Sequence, residues 1–139
     1  MASQHITSIF KGGMEFETEL HNHKIKINLF EKDGGKNQGP EPKALMLVSL
    51  AGCTGVDIVM ILNKMKVGFS NFSIDVDAQL TESVPRIYEF VKLTYRIRVK
   101  KHDESKVEKA VDLSQNKYCS VSAMFRKFAK LETEIQFEL

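Results

Sequence analysis

The chain has 139 residues, 42% hydrophobic and 27% charged, which suits one domain over residues 1–139 with a core of its own and excludes a disordered chain. Its 20 basic and 18 acidic residues are well mixed and leave a net charge of +2, so neither nucleic acid nor an anionic membrane is expected as a partner. Two cysteines are too few for a secreted disulfide scaffold, and no basic segment followed by an apolar core stands at the N-terminus, so a reducing cytoplasm is the expected setting.

In chain order, residues 6–10 are short and apolar and are broken by Gly12-Gly13. Met14, Phe16 and Thr18 then alternate with Glu15, Glu17 and Glu19, the period of a half-buried strand. His21-Asn22-His23 reads as a turn, and Ile25, Ile27 and Leu29 alternate with Lys24, Lys26 and Asn28 as the next strand. Residues 31–42 are polar and rich in Gly and Pro, which marks a loop. From Ala44 to Leu62 the chain is apolar nearly all round, and Pro42 stands where a helix can begin. About 20 apolar residues suffice to span a bilayer. Asp57 inside the run, Gly52 and Gly55, and strand-like flanks on both sides favour a buried core helix, ended by Gly68.

Beyond it, Phe72, Ile74, Val76, Ala78 and Leu80 alternate as a strand. Val91, Leu93, Tyr95, Ile97 and Val99 form the apolar face of another, opposite Lys92, Thr94, Arg96, Arg98 and Lys100. That placement makes the basic cluster a solvated strand face. Residues 104–115 and 118–129 are helical in pattern, and Leu131, Thr133, Ile135, Phe137 and Leu139 form a final strand. The order β-β-β-α-β-β-α-α-β indicates an α+β fold with largely antiparallel sheets around a long buried helix. A helix so apolar is hard to cover within one small chain, so a homodimer is expected.

Ser49, Cys53 and Asp57 are spaced four apart and share one face of the helix, where a polar stripe must meet polar partners, water or a ligand. Gly52 and Gly55 leave room to approach the Cys53 sulfur. A small buried thiol filling a gap is the commoner role for such a cysteine. Cys119 stands near a helix start, a position that lowers a thiol's pKa. His21 and His23 make only a thin metal site, so no metal and no cofactor are expected.

Three blocks are more specific: Gly39-Pro40-Glu41-Pro42; Ser49-Leu50-Ala51-Gly52-Cys53-Thr54-Gly55-Val56-Asp57 with Ile61-Leu62-Asn63-Lys64-Met65; and Leu113-Ser114 with Tyr118-Cys119-Ser120-Val121-Ser122. Together they resemble the motifs of the OsmC/Ohr family, the osmotically inducible and organic hydroperoxide resistance proteins. The resemblance implies an intertwined homodimer with sites at the subunit interface. It implies a thiol-dependent peroxidase in which Cys53 attacks an organic hydroperoxide, Cys119 resolves it, and an external dithiol, such as a lipoyl-bearing protein, resets the pair. A non-enzymatic dimer that binds a small apolar molecule or senses oxidation is the alternative. The sequence differs from the resistance branch at two places: Lys43 stands ten residues upstream of Cys53, where that branch has glutamate, and Met14 stands near its early arginine. The first arginine here is Arg86, so the chain is closer to the OsmC-like branch.

Overall fold

A computed structural model of the chain describes residues 2–139. They fall into two compact units, one ending at Leu47 and the other running from Val48 to Leu139.

The first unit holds a three-stranded antiparallel sheet, β1 (Ser8–Gly12), β2 (Glu15–Leu20) and β3 (His23–Ile27), in that order. The alternation seen in the sequence sets the register. Glu17 faces Lys26 and Glu19 faces Lys24 across β2 and β3, so opposite charges meet on one face. His21 and Asn22, at φ of 51° and 65°, make the two-residue hairpin turn that suits strand twist. His and Asn are among the side chains that tolerate this left-handed region. The loop after β3 is pinned by Asn28, whose Oδ1 accepts from the Leu29 and Lys36 amides at 2.7 and 3.0 Å. Gly35 belongs to the same knot, because a Cβ there would run into the Leu29 carbonyl.

The long helix α1 spans Leu45–Lys64, close to the expected limits. Its buried residues are Leu50, Thr54, Ile58 and Leu62, a strict four-residue spacing. Val48, Val56 and Met60 on other sides are 64%, 60% and 57% exposed, so burial on most faces is not met within one chain. Its end also differs from expectation. Lys66, not Gly68, takes the left-handed conformation, at φ 59°. Its amide donates to the Asn63 carbonyl and that of Val67 to Leu62, a Schellman closure that buries Val67 with Leu62.

After α1 come β4 (Phe69–Leu80), β5 (Tyr88–Val99), α2 (Glu104–Leu113), a wide π-type turn (Ser114–Tyr118), α3 (Ser120–Phe125) and β6 (Lys130–Phe137). The sheet order is β4-β5-β6. β4 and β5 are antiparallel, whereas β6 lies parallel to β5, because the chain crosses over through α2 and α3 before returning. Val91, Leu93, Tyr95 and Ile97 of β5 are fully buried and form the middle of this unit's core. On the other face Arg96 meets Asp75 at 2.9 Å and Lys92 meets Glu134 at 3.7 Å, so the basic cluster is the solvated strand face expected. The fold is α+β, with two sheets and one long helix.

Candidate active site

Cys53 and Asp57 lie one turn apart on α1, both half-buried, while Ser49, the third member of the stripe, is exposed. Cys119 precedes α3 and is buried, only 3% exposed. The fold brings the two sulfurs and an Asp57 carboxylate oxygen within 4.8 Å of one another. The cysteines, 66 positions apart in sequence (119 minus 53), thus form one cluster with Asp57, and both are free thiols. His21 and His23 are exposed in the turn and at the start of β3.

A buried polar network, not anticipated from the sequence, backs this cluster. Ser114 Oγ donates to Asp57 Oδ2 at 3.1 Å. Ser114 has one hydroxyl hydrogen, so its 2.7 Å contact with Thr54 Oγ1 has Thr54 as donor. Thr54 in turn has none left, so at 2.8 Å it accepts from the Tyr95 hydroxyl. The result is a directed chain, Tyr95 to Thr54 to Ser114 to Asp57. Gln115 Nε2 contacts the Tyr95, Thr54 and Ser122 oxygens at 2.9, 3.2 and 3.2 Å. Arg126 clamps Gln115, donating to its backbone oxygen at 2.6 Å and to its Oε1 at 2.8 Å. Two signals for this network were present: a tyrosine on the apolar face of a strand needs a partner for its hydroxyl, and Ser114 shares the apolar side of the 104–115 helical pattern.

Burial pushes the Tyr95 hydroxyl up to about 12, which keeps it a donor. Burial also raises Cys119, and nearby Cys53 adds to the rise. The helix-start effect expected to lower Cys119 is real, since the Ser122 amide donates to its sulfur at 3.3 Å. Removal from water outweighs it, so the expected lowering is reversed. Two cavities flank the cluster. One, of about 450 Å³, is lined by Asp57, Met60, Ile61, Lys64, Met65, Leu113 and Tyr118. The other, of about 410 Å³, is lined by Cys119, Gln115 and Ala123 together with Lys117, Arg126 and Lys127.

A family model described as OsmC-like protein matches residues 35–134, which include the helix with Cys53 and the start of α3 with Cys119. The chain belongs to the OsmC-like family. Protein YhfA of Escherichia coli K12 is 30% identical over 91 residues, covering 66% of this chain and 68% of that protein. A hypothetical protein from Aquifex aeolicus VF5 has a crystal structure matching over the whole of both chains, at 29% identity and a TM-score of 0.80. The OsmC-like protein of Mycoplasma pneumoniae is 12% identical with a TM-score of 0.83 over 99% of each chain, a similarity of fold. An organic hydroperoxide resistance protein of Elizabethkingia anophelis shares the OsmC-like fold at 14% identity and a TM-score of 0.69, over 99% of this chain and all of that one.

Proposed function

We propose that this OsmC-like protein reduces organic hydroperoxides through Cys53 and Cys119. The observation that carries the reading is the approach of the two sulfurs to within 4.8 Å. A disulfide needs about 2.05 Å, so a local side-chain movement closes the gap. Cys53 is the more open sulfur and Cys119 is held as a buried thiol, which supports Cys53 as the first to attack. The Cys53 thiolate attacks the O–O bond of ROOH and becomes a sulfenic acid, releasing ROH after proton uptake. Cys119 then displaces the sulfenic oxygen as water, forming the disulfide. An external dithiol, for example on a lipoyl-bearing protein, returns two electrons and two protons, which suits a reducing cytoplasm. Asp57 lies close enough to exchange a proton with Cys53 directly or through one water. The cavity beside Asp57, lined by Met60, Ile61, Met65 and Leu113, suits the organic part of a hydroperoxide.

That cavity also favours the second reading, a dimer that binds a small apolar molecule without turnover. An assay of hydroperoxide consumption with a dithiol separates the two. The parent protein should turn over and form an internal disulfide, seen as a 2 Da loss of intact mass. Cys53→Ala should abolish turnover, and Cys119→Ala should accumulate a trappable sulfenic acid at Cys53. Consumption unchanged in Cys53→Ala would leave the binding reading in its place.

A further inference from the structure

We infer that Cys53, Asp57 and Cys119 form a binding site for a thiophilic divalent cation of the zinc class, with two thiolates and one carboxylate as protein ligands. The inference does not rest on the peroxidase reading, since a chain without turnover would bind the cation equally well.

The geometry comes first. The three ligand atoms lie within 4.8 Å of one another. Four-coordinate zinc, with bonds of about 2.3 Å to sulfur, sets a sulfur–sulfur separation of about 3.8 Å. A contraction of about 1 Å therefore makes the site, within reach of a χ1 adjustment. Cys53 and Asp57 stand on successive turns of α1, and Cys119 caps α3, so each ligand is carried by a formed element. Outer contacts orient two of the three. The Ser122 amide donates to the Cys119 sulfur, and Ser114 donates to Asp57 Oδ2, leaving the other carboxylate oxygen for a cation.

The chemistry of the set decides the class. Two sulfurs exclude the hard cations that prefer oxygen shells, magnesium and calcium. Two thiolates and a carboxylate are three negative charges in one place, and a divalent cation relieves their repulsion. Three protein ligands leave the fourth position to water, and the cavity that Asp57 lines gives the entry path. Binding converts two thiols to thiolates and releases two protons per cation. The cation and the disulfide use the same sulfurs, so they exclude each other. Metal-loaded protein is held reduced, and oxidation of the pair removes two electrons and expels the cation.

The test titrates the reduced, metal-free chain with Co²⁺ as a spectroscopic probe and then with Zn²⁺. One Co²⁺ per chain should bind with release of two protons and give a sulfur-to-metal charge-transfer band in the near ultraviolet, bleached when Zn²⁺ displaces the Co²⁺. The band should fall by about half in Cys53→Ser and in Cys119→Ser and vanish in the double variant. Asp57→Asn should keep the band and weaken binding by about tenfold or more. Oxidation of the parent with diamide, which takes up the two electrons and two protons, should abolish the band, and a phosphine reductant should restore it. This last arm needs no substitution, so it stands even where a variant fails to fold. Absence of the band in the reduced parent, or its survival in the double variant or the oxidised parent, would overturn the inference. Turnover of hydroperoxide by the metal-free chain is scored separately.

Discussion

Cys119 is where two opposed effects on one thiol meet. A backbone N–H at the start of a helix favours the thiolate, while loss of water around the sulfur disfavours it. Burial is the larger, and the thiol stays protonated. On the proposed reading this suits a resolving cysteine, which should not compete for peroxide and has to react only once a sulfenic acid stands beside it. Tyr95 shows the same effect with a measurable consequence. Its folded pKa is raised from 10.0 to about 12, with burial as the main cause. A raised folded pKa means the stabilising contribution is intact below pH 10 and is lost as pH climbs towards 12. Two pKa units correspond to about 3 kcal/mol. Urea midpoints at pH 9 and pH 11.5 should therefore fall more steeply for the parent than for Tyr95→Phe. Equal slopes would show that Tyr95 does not titrate in this window.

Among the elements, those built on a single repeating pattern were the most legible. Two-residue alternation located β2, β4 and β5, and an unbroken apolar run located α1 to within a residue or two. Periodicity carries no strand direction, so the parallel β5–β6 pairing was invisible. The turn Ser114–Tyr118 was hidden for another reason. Its geometry is fixed by side chains far away in sequence, Thr54 and Asp57 on α1 and Arg126 just beyond α3, which hold Ser114 and Gln115. The pairing of Cys53 with Cys119 came from resemblance to a family, since spacing alone says nothing about two residues 66 positions apart (119 minus 53). The end of α1 offers a direct check. Lys66 occupies the left-handed position that a Schellman closure normally gives to glycine. Lys66→Gly should relieve that strain, in part offset by the freedom glycine adds to the unfolded chain. The net expectation is a gain of about 0.5 kcal/mol in denaturant unfolding. A loss of stability would mean that the lysine side chain makes a contact worth more than the strain.

For the whole molecule, the open question is what covers the outer side of α1. The helix is 20 residues long and apolar enough, by length and composition, to cross a membrane. Its packed side argues otherwise: Leu50, Ile58 and Leu62 are fully buried, Thr54 reaches Tyr95 on β5, and Asp57 is held by Ser114. A helix committed on one side to a sheet and a polar network has only the other side to offer. Val48, Gly52, Val56 and Met60 line that side at four-residue spacing, and a Cβ on Gly52 would meet nothing within 4 Å. We propose that a second copy of the chain covers this row. Burying a valine is worth about 2 kcal/mol, and an aspartate in its place adds the cost of a desolvated charge. Val56→Asp should therefore weaken the dimer at least ~30-fold. Val56 is 60% exposed within its own chain, so the fold itself should survive the change. Light scattering should give the parent twice the 15.8 kDa of one chain at micromolar concentration, and the variant should fall toward one. Unchanged circular dichroism would confirm that only assembly was lost. A parent that is monomeric under these conditions, or a variant as dimeric as the parent, would place the interface elsewhere and leave the α1 row to another occupant.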